Sequence, residues 1–232
     1  MAGRVSTYVF DKTGTITEDS LCVMGSRCKA DGNDGERCGF MKFVKDMTEY
    51  AVVSPQWWND VAATKCRDMP QTLLLEALAS CTEITYVNGE LVGDPLDVKM
   101  FEATKWILDE PNSGTKQSDE SLVQAYVYPS HAANNNGGGM PKYASAIIRR
   151  FEFSSALQRM SVLCKNDFDN RIRAFVKGSP EMISSLCLKD TLPRNFNEVL
   201  EEYTREGYRV IARSQKLLPE SFKFKQSLSV ER

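Results

Sequence analysis

The chain has 232 residues, 42% hydrophobic and 26% charged, with a formal net charge of −2. That composition suits one large globular domain, or one domain plus a piece of another. It excludes the strongly basic surface of a nucleic-acid-binding protein. No apolar run approaches the ~20 residues needed to cross a bilayer, and the first residues carry no signal-peptide pattern. The seven cysteines, Cys22, Cys28, Cys38, Cys66, Cys81, Cys164 and Cys187, are odd in number and never two residues apart in a CxxC. They read as free, mostly buried thiols rather than zinc ligands. His131 is the only histidine, which argues against a histidine triad or histidine metal cluster.

In chain order, Val5 to Phe10 is β-branched and aromatic and predicts a buried strand. The run Asp11-Lys12-Thr13-Gly14-Thr15-Ile16-Thr17 follows it directly. Asp11 is thereby expected at the C-terminal end of a strand, where ligands bind in open α/β sheets. A carboxylate there can attack a phosphoryl group and hold it covalently. Lys12 can balance the incoming charge, and Gly14 lets the backbone turn around a phosphate. The plainer reading is a hairpin turn after an edge strand.

Residues 28–38 are polar and Gly-rich and read as loop. Helices are predicted near 70–83 and from Asp94-Pro95 to Trp106, the second capped by Asp94 with Pro95 in its first position. Asp97 occupies the third position, where it can complete a capping box. Residues 109–120 and 130–142, with the tract Asn134-Asn135-Asn136-Gly137-Gly138-Gly139, read as mobile insertions around a strand at Leu122–Tyr128. Three strands are expected over 143–153, 157–165 and 171–177, the last two joined by a turn at 166–170. A short helix from Ser179-Pro180-Glu181 follows, then a helix from Asn195 to Glu206 closed by Gly207. A last strand is expected at 208–213. The fold class is α/β of the α+β type, an antiparallel twisted sheet flanked by helices.

Neither GxxxxGK[ST] nor GxGxxG occurs, so a Walker or Rossmann phosphate loop is not indicated. The heptapeptide at Asp11 instead resembles the phosphorylation motif of P-type ATPases, pumps that pass through an aspartyl-phosphate. Soluble phosphatases of the related haloacid-dehalogenase type carry a second aspartate two residues on. Here that position is Thr13, which cannot act as a carboxylate base.

Four further places resemble the nucleotide-binding domain of that family. Lys177-Gly178-Ser179-Pro180-Glu181 is similar to its lysine-glycine-alanine-proline-glutamate motif, with serine in the alanine position. Phe151 to Ser161 resembles the segment whose phenylalanine stacks on adenine, here Phe153 followed by Ser154. The basic residue of that segment is replaced by Gln158. Gly93-Asp94-Pro95-Leu96-Asp97 resembles the motif that presents an acid to the adenine amino group. Arg209 matches an arginine that reaches the phosphates from the last strand. Each has a structural alternative: a solvated turn lysine, a core aromatic, a helix cap, a surface arginine.

The resemblance implies a portion of a much larger membrane protein. Residues 1–19 would be a strand and loop of a haloacid-dehalogenase-like phosphorylation domain. Residues 20–232 would form a nucleotide-binding domain with a flexible insertion at 109–142. It implies ATP and Mg²⁺, the ion held by Asp11, the Thr13 carbonyl and ligands outside this chain. Partners would be the remaining phosphorylation, actuator and transmembrane domains of the same polypeptide, the portion itself being monomeric. Several long runs, among them Gly93 to Thr104 and Val199 to Ala212, are similar to the B branch of the type-five ATPases, which is tied to polyamine transport. The resemblance implies the cytosolic face of a eukaryotic endomembrane as the location of the complete protein's corresponding part. A free-standing phosphohydrolase acting through Asp11, and a non-catalytic nucleotide-binding module, are the alternatives.

Overall fold

Helix α1 (Pro70–Ser80) sets the layering, because it is buried on nearly all sides: Thr72, Leu73, Leu75, Glu76, Ala77, Leu78, Ala79 and Ser80 are all withdrawn from solvent. A helix apolar all round needs cover all round. The computed structural model describes residues 6–12, 15–17, 21–30, 38–51, 70–110, 123–130, 144–166 and 170–222. Within them α1 lies between a sheet and an outer layer. Leu73 and Ala77 pack on sheet residues Ala125, Val127, Ile147, Val162 and Phe175. Leu75 and Leu78 pack outward with Cys28, Met47 and Tyr50. Phe101 and Phe175, both almost fully buried, each contribute roughly 1.5–3 kcal/mol of burial. One buried carboxylate crosses the interface: Ser145 Oγ donates to Glu76 Oε1 at 2.7 Å, which offsets part of the desolvation cost.

A hairpin, β1 (Ile84–Val87) and β2 (Glu90–Gly93), follows α1. Helix α2 (Pro95–Thr104) then leads into β3 (Trp106–Asp109). The main sheet continues as β4 (Ala125–Pro129), β5 (Ser145–Ser154), β6 (Arg159–Asn166) and β7 (Ile172–Gly178). After α3 (Pro180–Leu186) and α4 (Phe196–Arg205) it ends with β8 (Ala212–Leu217). The spatial order is β3-β4-β5-β6-β7-β8, every neighbouring pair antiparallel. The expected antiparallel sheet flanked by helices is therefore what forms. Helices α1 and α2 cover one face, and Ile148, Leu163 and Ile172 on the other meet Leu218 and Phe222. Helix α4 is tied to the outer layer, where Asn195 Oδ1 accepts from the Phe40 N–H at 3.0 Å and Phe196 stacks on Phe40.

Several boundaries differ from the sequence reading, for physical reasons. Helix α2 stops at Thr104 because Lys105 turns left-handed, φ 57°, and Trp106 goes into the sheet. Asp109, placed in the insertion, belongs to β3. The last strand begins at Ala212, not Tyr208. Helix α4 ends in a Schellman turn, with Gly207 at φ 82°, Gly207 N–H bonded to Thr204 O and Tyr208 N–H to Tyr203 O. Residues 208–211 carry the chain from there to the sheet edge. The β1–β2 hairpin was not anticipated, although Asn88-Gly89, both at positive φ, is the usual two-residue turn.

The predicted buried strand before Asp11 is corrected too. Residues 6–10 form no strand, and Tyr8, Val9 and Phe10 are 62%, 91% and 62% exposed. A strand needs ladder partners for its backbone groups, and no β-ladder among the described residues includes 6–10. Of the expected mobile tracts at 109–120 and 130–142, residues 111–120 and 131–142 lie outside the described residues, as do 167–169 of the turn expected at 166–170, Thr13, Gly14, Cys66 and His131.

Burial also sorts the thiols. Cys81 and Cys164 sit in the sheet–helix core, and desolvation pushes both thiol pKa values up. Cys22 is exposed. Because the thiolate is the reacting form, iodoacetamide at mildly alkaline pH should label Cys22 in the native chain. Cys81 and Cys164 should label only after denaturation. Peptide mass spectrometry reads the difference, and native labelling of Cys81 matching that of Cys22 would contradict this core.

Candidate functional site

Strand register gathers the candidate residues at one end of the sheet. Ser154, Arg159, Gly178 and Ala212 lie side by side on β5, β6, β7 and β8. The next row holds Met160, Lys177 and Arg213. Strands are ~4.8 Å apart, so row-mates two strands apart are separated by roughly 10 Å.

Cross-strand neighbours share a face, and Met160 is buried beneath the helices. Lys177 therefore points into the helix-covered side. It is 8% exposed, and its Nζ is bonded to Asp97 Oδ1 on α2. The solvated strand-end lysine expected from sequence is replaced by a buried ion pair. Asp97, 2% exposed, does not serve as a capping box either. Asp94 caps α2 by accepting from the Leu96 N–H at 2.9 Å, while Asp97 Oδ2 accepts from the Glu83 N–H at 2.9 Å. Both Asp97 oxygens are thus committed within the protein.

Arg213 joins this buried cluster. It donates to Ala77 O at 2.6 Å and Cys81 O at 3.5 Å, carbonyls at and just past the end of α1. A cation there answers the helix dipole. Burial lowers the Arg213 pKa, with Cys81 and Asp97 opposing that effect.

Phe153 stands at the rim. It is 55% exposed, so the core-aromatic reading does not apply. Its exposure has a backbone cause: β5 carries one extra residue between Phe151 and Ser154, where pairing shifts from Phe151–Ser161 to Ser154–Arg159. Such a bulge re-aims side chains and takes a residue out of the ladder. The freed Phe153 N–H donates to Glu83 Oε1 at 2.7 Å. Gly93 lets the Glu83 carbonyl approach closely, since a Cβ there would come within 2.3 Å of Glu83 O.

A Cβ at Gly178 would meet Gln158 O at 2.4 Å, so its bareness admits the β5–β6 turn. Gln158 lies in that turn, not on a strand, at φ 50°. Its carbonyl accepts from the Ser179 N–H at 3.2 Å and its Oε1 from Ser179 Oγ at 3.3 Å. The two departures from the family pattern, glutamine for a basic residue and serine for alanine, thus touch each other. Ser154 is also occupied by the turn, accepting from the Leu157 N–H. Arg209 is exposed and precedes β8 rather than lying on the last strand. Asp11 and Lys12 are exposed. Lys12 O accepts from the Ile16 and Thr17 N–H groups and from Thr17 Oγ1.

Sequence reasoning missed Glu83, Arg150 and Arg213. Arg150 is partly buried on β5, and its Nε and one terminal nitrogen have no partner among the described residues. Desolvation lowers its pKa against the pull of Cys164, Glu110 and Glu83. No local pattern marks Glu83, whose role arises from a bulge 70 residues away. Mg²⁺ favours six oxygen donors in a near-octahedral array. Asp11 offers one carboxylate, and no group of three or more His, Cys, Asp or Glu that could hold a metal occurs among the described residues. Asp11 is thus one donor of the implied set; Thr13 lies outside the described residues.

Removing one half of a buried ion pair leaves the other charge uncompensated, at a cost of ~3–5 kcal/mol. Lys177→Met should therefore destabilise the chain by about that much in urea unfolding, contrary to the near-zero effect expected of an exposed lysine. Adding Asp97→Leu should recover much of the loss. A fully stable Lys177→Met variant would contradict the pairing.

A family model described as P-type ATPase, cytoplasmic domain N, matches residues 139–232. The whole chain aligns at 34% identity with the vacuolar cation-transporting ATPase YPK9 of Saccharomyces cerevisiae. Polyamine-transporting ATPase 13A2 of Mus musculus is 35% identical over 94% of the chain. Probable cation-transporting ATPase 13A5 of Homo sapiens is 34% identical over 94%. The chain spans 16% of the length of each of these relatives. Among the described residues, no helix is long and apolar enough to cross a membrane.

Proposed function

The chain belongs to the P-type ATPases, and on that premise we propose that it captures ATP on the Phe153 ring and presents the γ-phosphate to Asp11. The observation that carries this reading is the exposed Phe153, lifted out of the ladder by a bulge at the sheet end that Lys177 and Asp97 brace from inside. A half-exposed aromatic ring costs solvation unless something flat covers it, and a stacked base contributes on the order of 1–3 kcal/mol.

In this reading Lys177, Asp97 and Gly178 support the pocket from behind more than they touch the nucleotide. Ser154 and Gln158 shape the turn beside it, and Arg209 is the exposed cation available to the phosphates. Asp11 supplies the nucleophile: a carboxylate oxygen forms the bond to the γ-phosphorus as the bond to the bridging oxygen breaks, and ADP departs. Lys12 offsets charge at that centre. Thr13 in the second acidic position leaves the phosphoenzyme without a nearby carboxylate base. Mg²⁺, when bound, would neutralise phosphate charge. In the complete polypeptide the phosphoenzyme would drive transport of a cation at the cytosolic side of an endomembrane, together with actuator and transmembrane domains. The B branch of the type-five pumps, and with it a polyamine cargo, is our subgroup assignment.

Titrating the 232-residue chain with ATP by calorimetry, alongside a phosphate-release assay, tests the reading. Binding without turnover is expected, and Phe153→Ala should lose roughly ten- to hundredfold in affinity while remaining folded by circular dichroism. Robust Asp11-dependent phosphate release by this chain alone, or a folded Phe153→Ala variant with unchanged affinity, would overturn it.

A further inference from the structure

The bulge that exposes Phe153 leaves a backbone donor to be satisfied. With an extra residue between Phe151 and Ser154, the Phe153 N–H has no ladder partner on β6. Glu83 takes it up, its Oε1 accepting at 2.7 Å. That length belongs to hydrogen bonds with an ionised acceptor, the stronger kind. We propose that Glu83 is a positioning residue for nucleotide capture. By holding the Phe153 N–H it keeps the bulge in the form that turns the ring to solvent, whatever base then stacks on it. This inference rests on the stacking reading above and adds to it what keeps the ring presented.

Glu83 can hold a rim residue because its own backbone is fixed from the core side. Its N–H donates to Asp97 Oδ2 at 2.9 Å, and Asp97 is paired with Lys177. Thr82 before it is fully buried, and Ile84 after it enters β1 opposite Gly93. The Glu83 side chain therefore reaches from a fixed point just past α1 to the bulge of β5. Its carboxylate supplies an acceptor and a charge. The charge acts on Arg150 of the same strand, whose protonated form it favours. Holding Phe153 requires only the acceptor. An amide oxygen accepts a backbone N–H as a carboxylate does, and an aliphatic side chain does not. The fraction of molecules with the bulge set multiplies the intrinsic affinity, and that factor is the same for every stacked base.

Calorimetry with ATP and with GTP reads this role. Glu83→Leu should lose about tenfold in affinity for both nucleotides, by the same factor. Glu83→Gln, its amide oxygen on the Phe153 N–H, should stay within about twofold of wild type. In a Phe153→Ala background, Glu83→Leu should cost nothing further, whereas a general loosening of the fold would add to the first loss. Amide exchange followed by NMR needs no nucleotide and no variant: the wild-type Phe153 N–H should exchange at least about tenfold more slowly than in the unfolded chain. This measurement and Glu83→Gln decide alone if Glu83→Leu does not fold. Unchanged affinity in folded Glu83→Leu, a loss confined to ATP, a folded Glu83→Gln as weak as Glu83→Leu, additive losses with Phe153→Ala, or an unprotected Phe153 amide each overturns the Glu83 assignment and leaves stacking intact. Failure of the chain to bind ATP, or a folded Phe153→Ala with unchanged affinity, overturns the stacking reading and this assignment with it.

Discussion

The buried pair between Asp97 and Lys177 is the constraint on which the rest of this end of the molecule depends. It joins α2 to β7 across the sheet–helix interface. A lysine and an aspartate out of water are costly apart and tolerable only together, with their remaining bonding capacity filled. Asp97 meets that condition by holding the Glu83 N–H with its second oxygen. Arg213 adds a further cation beside Lys177 and is balanced by the carbonyls at the end of α1. The result is a polar cluster inside an apolar core, reaching from the last turn of α1 to the loop before β1. Its members come from four elements, so it fixes their mutual positions more tightly than apolar packing alone would.

From this cluster the order runs outward in one direction. Asp97 fixes the Glu83 backbone, Glu83 fixes the Phe153 N–H, and the β5 bulge turns the Phe153 ring to solvent. A regular ladder would have consumed that N–H in pairing with β6. The extra residue removes it from the ladder, and a side-chain carboxylate from another element takes it up. An exposed aromatic at a strand end is ordinarily mobile; here its backbone is bonded to a residue that is itself bonded to the core.

Much of the fold was legible because its signals are local. Asp94-Pro95 announced the start of α2, Ser179-Pro180 that of α3, and Gly207 the end of α4, and each does what its chemistry requires. The alternation through β5, β6 and β7 gave an antiparallel sheet with the right strands adjacent. The site was legible only as a set of residues, because their roles depend on register and burial. Lys177 reads as a turn lysine until the strand pairing puts it on the covered face, and Gly178 reads as a ligand cradle until the β5–β6 turn arrives against it. Val5 to Phe10 has every local property of a strand, but strand formation is a matter of partners.

The two ends of the proposed reaction are therefore built differently. The base end rests on a core cluster, a bulge and a locked turn, where Gln158 and Ser179 bond to each other rather than present a cation. At the Asp11 end, Asp11 and Lys12 are exposed, and the Lys12 carbonyl accepts from the Ile16 and Thr17 N–H groups. In the proposed reading, a base end braced by the core and a separate Asp11 end would suit a process in which binding precedes transfer. The same division explains why the Asp11 motif is legible in seven consecutive residues, whereas the surroundings of Phe153 depend on strands and helices far apart in the chain.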